Sequence, residues 1–156
     1  MNVVIANRQR TRKINTRLLK QITGALLADM KITKAELGVN LVAEPEMTLM
    51  NETFLRHAGS TDVITFDYAD SAAETVLAGE IFICVDEAIL QARKFKTTWQ
   101  SEIIRYIVHG VLHLLGHDDR RVEARRKMKR EENRLLGRLS KKFSLAKIGG
   151  SSKLRA

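Results

Sequence analysis

Apolar residues recur along this chain at two spacings, and the alternation between them predicts the fold. Asn2 to Ala6 reads as a first strand and Arg8 to Lys13 as a basic loop. From about Asn15 to Met30 the residues Ile14, Leu18, Leu19, Ile22, Leu26 and Leu27 follow helical spacing, with Asn15 or Thr16 able to cap the helix. Leu37 to Ala43 alternates as a strand. Pro45, the only proline, sits where a helix would begin, at its first position after Glu44, and Met47, Leu49, Met50 and Phe54 predict that helix's apolar face. Arg56 to Ser60 breaks the pattern as a loop, Thr61 to Phe66 follows as a third strand, and Asp67 to Leu77 reads as an exposed loop. Ile81, Phe82, Ile83 and Val85 run without polar alternation, so Gly79 to Val85 is expected to be a strand buried on both faces. Asp86 is placed to cap a helix from about Glu87 to Phe95, and Thr97 and Gln100 have the spacing of a capping box for the helix after it. A last helix is expected from about Val122 to Leu139, with Ala124, Met128, Leu135 and Leu139 as its apolar edge. Four short strands among helices predict an α+β fold: a single domain over residues 1–139 with one mixed sheet, followed by a basic flexible tail over 140–156.

The helix after Thr97 departs from the amphipathic norm. Ile103, Ile104, Ile107 and Val108 make it too apolar for a surface helix. Its polar positions, Glu102, Arg105, Tyr106, His109 and His113, fall on one side. His109 and His113 are four residues apart, so both imidazoles leave that side about one turn apart. Gly116 can take a positive φ, stop the helix and turn the chain so that His117, Asp118 and Asp119 come back toward the histidines. Three protein ligands with a position left open is how a catalytic zinc site is built. The spacing is related to the zincin pattern H-E-x-x-H, but Gly110 stands where a metalloprotease carries its general-base glutamate, which argues against peptide hydrolysis. Gly110 is also expected to leave room beside the metal for a larger substrate. For the third ligand, Asp119 lies ten residues after His109, the spacing of the long zincin signature, while His117 is the better ligand type by itself. Asp119 is the favoured choice, with Asp118 as a residue that could orient an imidazole.

Composition changes this picture in two ways. The single cysteine, Cys84, excludes an internal disulfide and reads as a buried inert thiol in a strand, which with the lack of a signal-peptide pattern predicts a cytoplasmic protein. No apolar run approaches the length of a membrane span. The net charge of +9 is unevenly spread: residues 1–20 carry six basic and no acidic groups, 21–119 carry seven basic and fifteen acidic groups, and 120–156 carry fourteen basic and three acidic groups. Two basic ends around an acidic centre are the electrostatic footprint of a polyanion-binding protein, with nucleic acid the first candidate.

The stretch HGVLHLLGHDD, residues 109–119, resembles the HGxLHLxGYDH signature of the YbeY family of metal-dependent endoribonucleases. Upstream, Leu49-Met50-Asn51 through Arg56 and then Ser60-Thr61-Asp62-Val63-Ile64-Thr65-Phe66 resemble that family's LN…YR…PTDVLSF segment, and Leu77 to Cys84 resembles its LGDI strand. The family's third histidine is Asp119 here, its tyrosine is His117, its proline is Ser60, and Phe66 is followed by Asp67 rather than proline. The resemblance implies a small α+β domain with a four-stranded mixed sheet, about five helices and a zincin-like metal-bearing helix. It implies one zinc ion, or another divalent metal, on His109, His113 and Asp119, and Arg56 as the family's catalytic arginine near the metal. It further implies cleavage of single-stranded RNA in maturation of the 3′ end of small-subunit (16S) ribosomal RNA and in ribosome quality control, with ribosomal proteins and assembly GTPases as partners.

On this reading the metal activates water and polarises a phosphate oxygen, and Arg56 clamps the phosphate. His57 reads as an exposed loop histidine, and no residue stands out as a general base. Two other classes remain open: a different zinc hydrolase, and a non-catalytic ribosome-assembly factor with a structural metal.

Overall fold

In the computed structural model, which describes residues 1–69 and 76–149, the strands β1 (Asn2–Asn7), β2 (Ala35–Val42), β3 (Val63–Asp67) and β4 (Leu77–Cys84) form one sheet in the order β1-β2-β4-β3. β1, β2 and β4 are parallel, and β3 runs antiparallel to β4, so the sheet is mixed. Parallel neighbours need crossover connections; α1 (Thr16–Asp29) supplies the one between β1 and β2, capped by the Asn15 side chain, which accepts from the Leu18 backbone N–H at 3.0 Å. β4 is buried on both faces, as its unalternating sequence requires: Ile81 and Ile83 join the main core, and Phe82 and Cys84 join a second one with Val42, Met47 and Ile64. Burial pushes the Cys84 thiol up, which keeps it protonated and unreactive. Among the described residues no helix is long and apolar enough to cross a membrane.

Several boundaries move for identifiable reasons. α2 (Glu44–Met50) begins one residue earlier than expected, with Ala43 as its cap and Pro45 in its first turn. Its chain continues into a π-helical turn, Asn51–Leu55, and the wider turn shifts the phase of the side chains. Met47 is fully buried and Met50 packs beside it on the second core, but Leu49 and Phe54 are 64% and 61% exposed, so only half of the expected apolar face forms. α3 (Val85–Phe95) starts straight out of β4, and Asp86 lies inside its first turn rather than capping it. The Asp86 carboxylate instead accepts from the Glu44 backbone N–H at 2.6 Å and from the Thr11 hydroxyl at 3.0 Å, capping α2 across the fold. α4 (Trp99–Leu114) is capped by Thr98, which accepts from the Ser101 N–H. The expected capping-box residues are engaged elsewhere: the Thr97 hydroxyl donates to Glu102 at 2.8 Å, and Gln100 donates to the Gly149 carbonyl at 2.6 Å.

α5 (Val122–Lys142) runs past the expected boundary at Leu139, and a single 3₁₀ turn, Leu145–Ile148, follows it. Residues 140–149 are therefore not the flexible tail expected of them. Ile148 is fully buried, its carbonyl accepts from the Asn15 backbone N–H at 2.6 Å, and Phe143 and Leu145 pack against the main core. The lysines and glycines of this stretch outweigh its three apolar anchors in composition, but the anchors decide its structure. The rest of the expected tail, residues 150–156, lies outside the described residues, as do residues 70–75 of the loop before β4.

α4 lies on the sheet against β4 and β3 and carries ten buried residues. Gly110 is the point of closest approach. A Cβ there would stand 2.7 Å from Cδ1 of Ile81, itself fully buried. Gly110 therefore faces the sheet, and the expectation that it clears space beside a metal is not met. A glutamate at 110 would have to enter the same packed contact. Gly110→Ala is expected to destabilise the protein by about 1–3 kcal/mol through overpacking, read as a lower urea midpoint; an unchanged midpoint would show that α4 can lift off β4 freely.

Candidate metal centre

With its sheet face packed, α4 has one polar side, and His109 and His113 stand on it with their Nε2 atoms 3.0 Å apart. Each ring is held by its other nitrogen. His113 Nδ1 donates to the His117 backbone carbonyl at 3.1 Å, and His109 Nδ1 donates to the carboxylate of Glu132 on α5. In the neutral rings these two bonds place the proton on Nδ1 and leave the Nε2 lone pairs facing each other. Lone pairs at that separation repel unless a proton or a metal cation lies between them.

The chain after α4 completes the arrangement. Gly116 has φ of +99°, the Gly116 N–H bonds the His113 carbonyl and the His117 N–H bonds the Leu112 carbonyl, which is a Schellman ending. The turn delivers Asp119, whose Oδ2 lies 3.5 Å from His113 Nε2 and 3.8 Å from His109 Nε2. Tetrahedral zinc with N and O ligands places its donors roughly 3.3 Å apart, so separations of 3.0, 3.5 and 3.8 Å fit such an ion. His109, His113 and Asp119 form a cluster that could hold a metal. Of the other two candidates, His117 contributes its backbone carbonyl. Asp118 turns away to the Arg120 N–H at 2.8 Å, whose hydrogen bond and guanidinium keep its carboxyl below the usual range. The orienting role expected of Asp118 belongs to Glu132 and the His117 carbonyl.

Glu132 is 5% exposed, and its other oxygen receives Arg105 at 3.3 Å; Arg105 also donates to the Asn133 side chain at 2.9 Å. Burial disfavours protonation of His109, but the hydrogen bond and charge of Glu132, helped by Asp119 and Asp62, outweigh it and leave the pKa raised. The site is thus built to favour positive charge. Sequence reasoning missed Glu132, which lies 23 positions from His109 on a helix read as a basic surface. A signal was there: Glu132 is four residues after Met128 and three before Leu135, so it is the acid on that helix's buried edge.

Arg56 ends the π-helical turn in the left-handed region, with φ of +57°. Asn51 holds the loop in place, its carbonyl accepting from the Arg56 and His57 N–H groups and its amide donating to the Gly59 carbonyl at 2.9 Å. The Arg56 and His57 side chains are exposed. A cavity of about 590 Å³ opens on His109 and Asp119, and Arg56 is not part of its wall. The cations there are Arg105 of α4 and Arg125, Arg126 and Lys129 of α5.

Comparison with known proteins agrees with these features. The sequence profile of the endoribonuclease YbeY family matches residues 4–140. An endoribonuclease YbeY from Finegoldia magna is 31% identical over 154 residues, covering 96% of this chain and 95% of its own. One from Syntrophotalea carbinolica is 33% identical over 144 residues, covering 89% and 96%. A solution structure of a Thermotoga maritima protein superposes with a TM-score of 0.62 over 98% of this chain and 100% of its own, at 24% identity, so the fold is shared as well. The chain belongs to the endoribonuclease YbeY family.

Proposed function

We propose that this endoribonuclease cuts single-stranded RNA at a phosphodiester held over His109, His113 and Asp119, with one zinc ion as its cofactor, and that its substrate is the small-subunit ribosomal RNA at its 3′ end, in ribosome maturation and quality control. The observation that carries the reading is the pair of Nε2 atoms facing each other and Asp119, each ring held by its far nitrogen. Bound there, zinc supplies Lewis acidity to a phosphate oxygen and makes a water molecule more acidic.

The chain's own residues do the rest. Glu132 and the His117 carbonyl fix the tautomers and the ring planes, so the donor atoms do not reorganise when substrate arrives. Arg105 supports Glu132 from the same polar stripe. Arg125, Arg126 and Lys129 draw the RNA backbone toward a centre surrounded by carboxylates. Arg56 acts as the phosphate clamp from the loop that leads into Asp62 and Val63, two residues that do line the cavity.

His113→Ala and Asp119→Ala are expected to lose both bound zinc, measured by elemental analysis, and cleavage of a single-stranded oligoribonucleotide. Glu132→Ala is expected to weaken zinc binding by roughly 10- to 100-fold. Stoichiometric zinc with full cleavage in Asp119→Ala would remove that residue from the site. Arg56→Ala is expected to fold and hold zinc but to cleave on the order of 100-fold more slowly; wild-type turnover would refute the clamp. RNA affinity is expected to fall linearly with salt on a log–log plot, with a slope reduced by about 1 in Lys129→Gln. A flat salt profile would deny the basic helix its role.

A further inference from the structure

The cavity beside the metal cluster has features that the cleavage chemistry does not use. Phe95, the last residue of α3, lines it although its ring is 61% exposed. Gln91 lies one turn earlier on the same helix and lines it too. Tyr106 and Met128 also line it and are 5% and 1% exposed, which gives the cavity an apolar floor. The Tyr106 hydroxyl is buried beneath that floor without a hydrogen-bond partner. The carboxylates of the cavity have other neighbours: Glu132 bonds His109 and Arg105, Glu102 the Thr97 hydroxyl and Asp62 the Val63 N–H, while Asp119 faces the two histidines. None of these acids pairs with Arg126 or Lys129 on the opposite helix.

We propose that this cavity takes one unstacked nucleotide of the RNA next to the scissile phosphate, with Phe95 as the stacking face for its base and Arg126 and Lys129 as the grip on its flanking phosphate. The inference rests on the endoribonuclease reading of the metal cluster. Its volume of about 590 Å³ is that of a small-molecule site, roughly 300–1,000 Å³. Every base has a π face, so an exposed aromatic ring beside a cationic wall binds nucleotides with little regard to sequence. In an A-form duplex those faces are covered by neighbouring bases, and only a single-stranded or looped segment can present one. Gln91 can meet the polar edge of the base. Lys94, 5.5 Å from the centroid of the Phe95 ring, adds a further cation there. The site would thus select single strands by geometry rather than by charge.

The test pairs a protein substitution with a substrate lesion. A short single-stranded RNA is prepared intact and with one base removed at each position around the cut, and kcat/KM is measured for the full-length wild type, Phe95→Ala and Phe95→Trp. Phe95→Ala on intact RNA should lose roughly 5- to 100-fold, and Phe95→Trp should stay near wild type. At one position relative to the cut, the abasic lesion should cost the wild type a similar factor and cost Phe95→Ala almost nothing further, because both remove the same contact. Additive losses at every position, or an unchanged kcat/KM in Phe95→Ala, overturn the stacking role while leaving the endoribonuclease reading intact. Failure of the wild type to cut any RNA overturns both. Phe95 is exposed, so its replacement leaves the core unchanged, and thermal melting of each variant checks this.

Discussion

A sixteen-residue helix with ten buried residues has one narrow side left for polar groups, and that constraint organises the protein. α4 lies so close on β4 that Gly110 admits no side chain against Ile81. Polar residues along the body of the helix are left to the far side, where Arg105, His109 and His113 meet α5 and the turn that follows Gly116. Tight packing on one face and convergence of ligands on the other are the same fact. Buried polar groups must be hydrogen-bonded, and here their partners supply the orientation that a metal site requires.

The second helix of the site resolves an electrostatic conflict. Metal ligands and their supports bring Asp119, Glu132 and Asp62 into one region, and a concentration of acids would repel RNA. α5 answers by presenting two kinds of residue at once. Its inward edge carries Met128, Glu132, Leu135 and Leu139, which bury the helix and hold His109. Its outward side carries nine of the chain's 27 basic residues. One helix therefore both orients His109 and presents a basic face, so a change in its packing disturbs both.

Much of this was legible in the sequence because it depended on local spacing. The four strands, the helix of the two histidines, the stop at Gly116 and the return of Asp119 toward the histidines all follow from periodicity, backbone freedom or a fixed offset within one segment. What was not legible depended on pairs distant in the chain. Asp86 looked like the cap of its own helix, yet it caps α2, 42 residues away. Gly110 looked like space beside a metal, because nothing local reveals that Ile81 fills the space it faces. Glu132 was hidden among basic neighbours, and residues 140–149 were read as a tail because composition was weighed above three apolar anchors. The π-helical turn after Met50 broke a helical periodicity that the sequence continues without interruption.

The departure at Asp119, where the family's motif has histidine, is compensated within the fold. A carboxylate in place of a neutral imidazole removes one unit of positive charge from the centre. It would also weaken attraction for a phosphate. The Arg125 guanidinium donates to the backbone carbonyl of Asp119 at 3.3 Å, so a cation is tied to the residue that brings the extra negative charge. Arg125 and its neighbour Arg126 both face the cavity. A cation is thus held beside the added carboxylate, and the aspartate at this position does not by itself argue for a lost reaction.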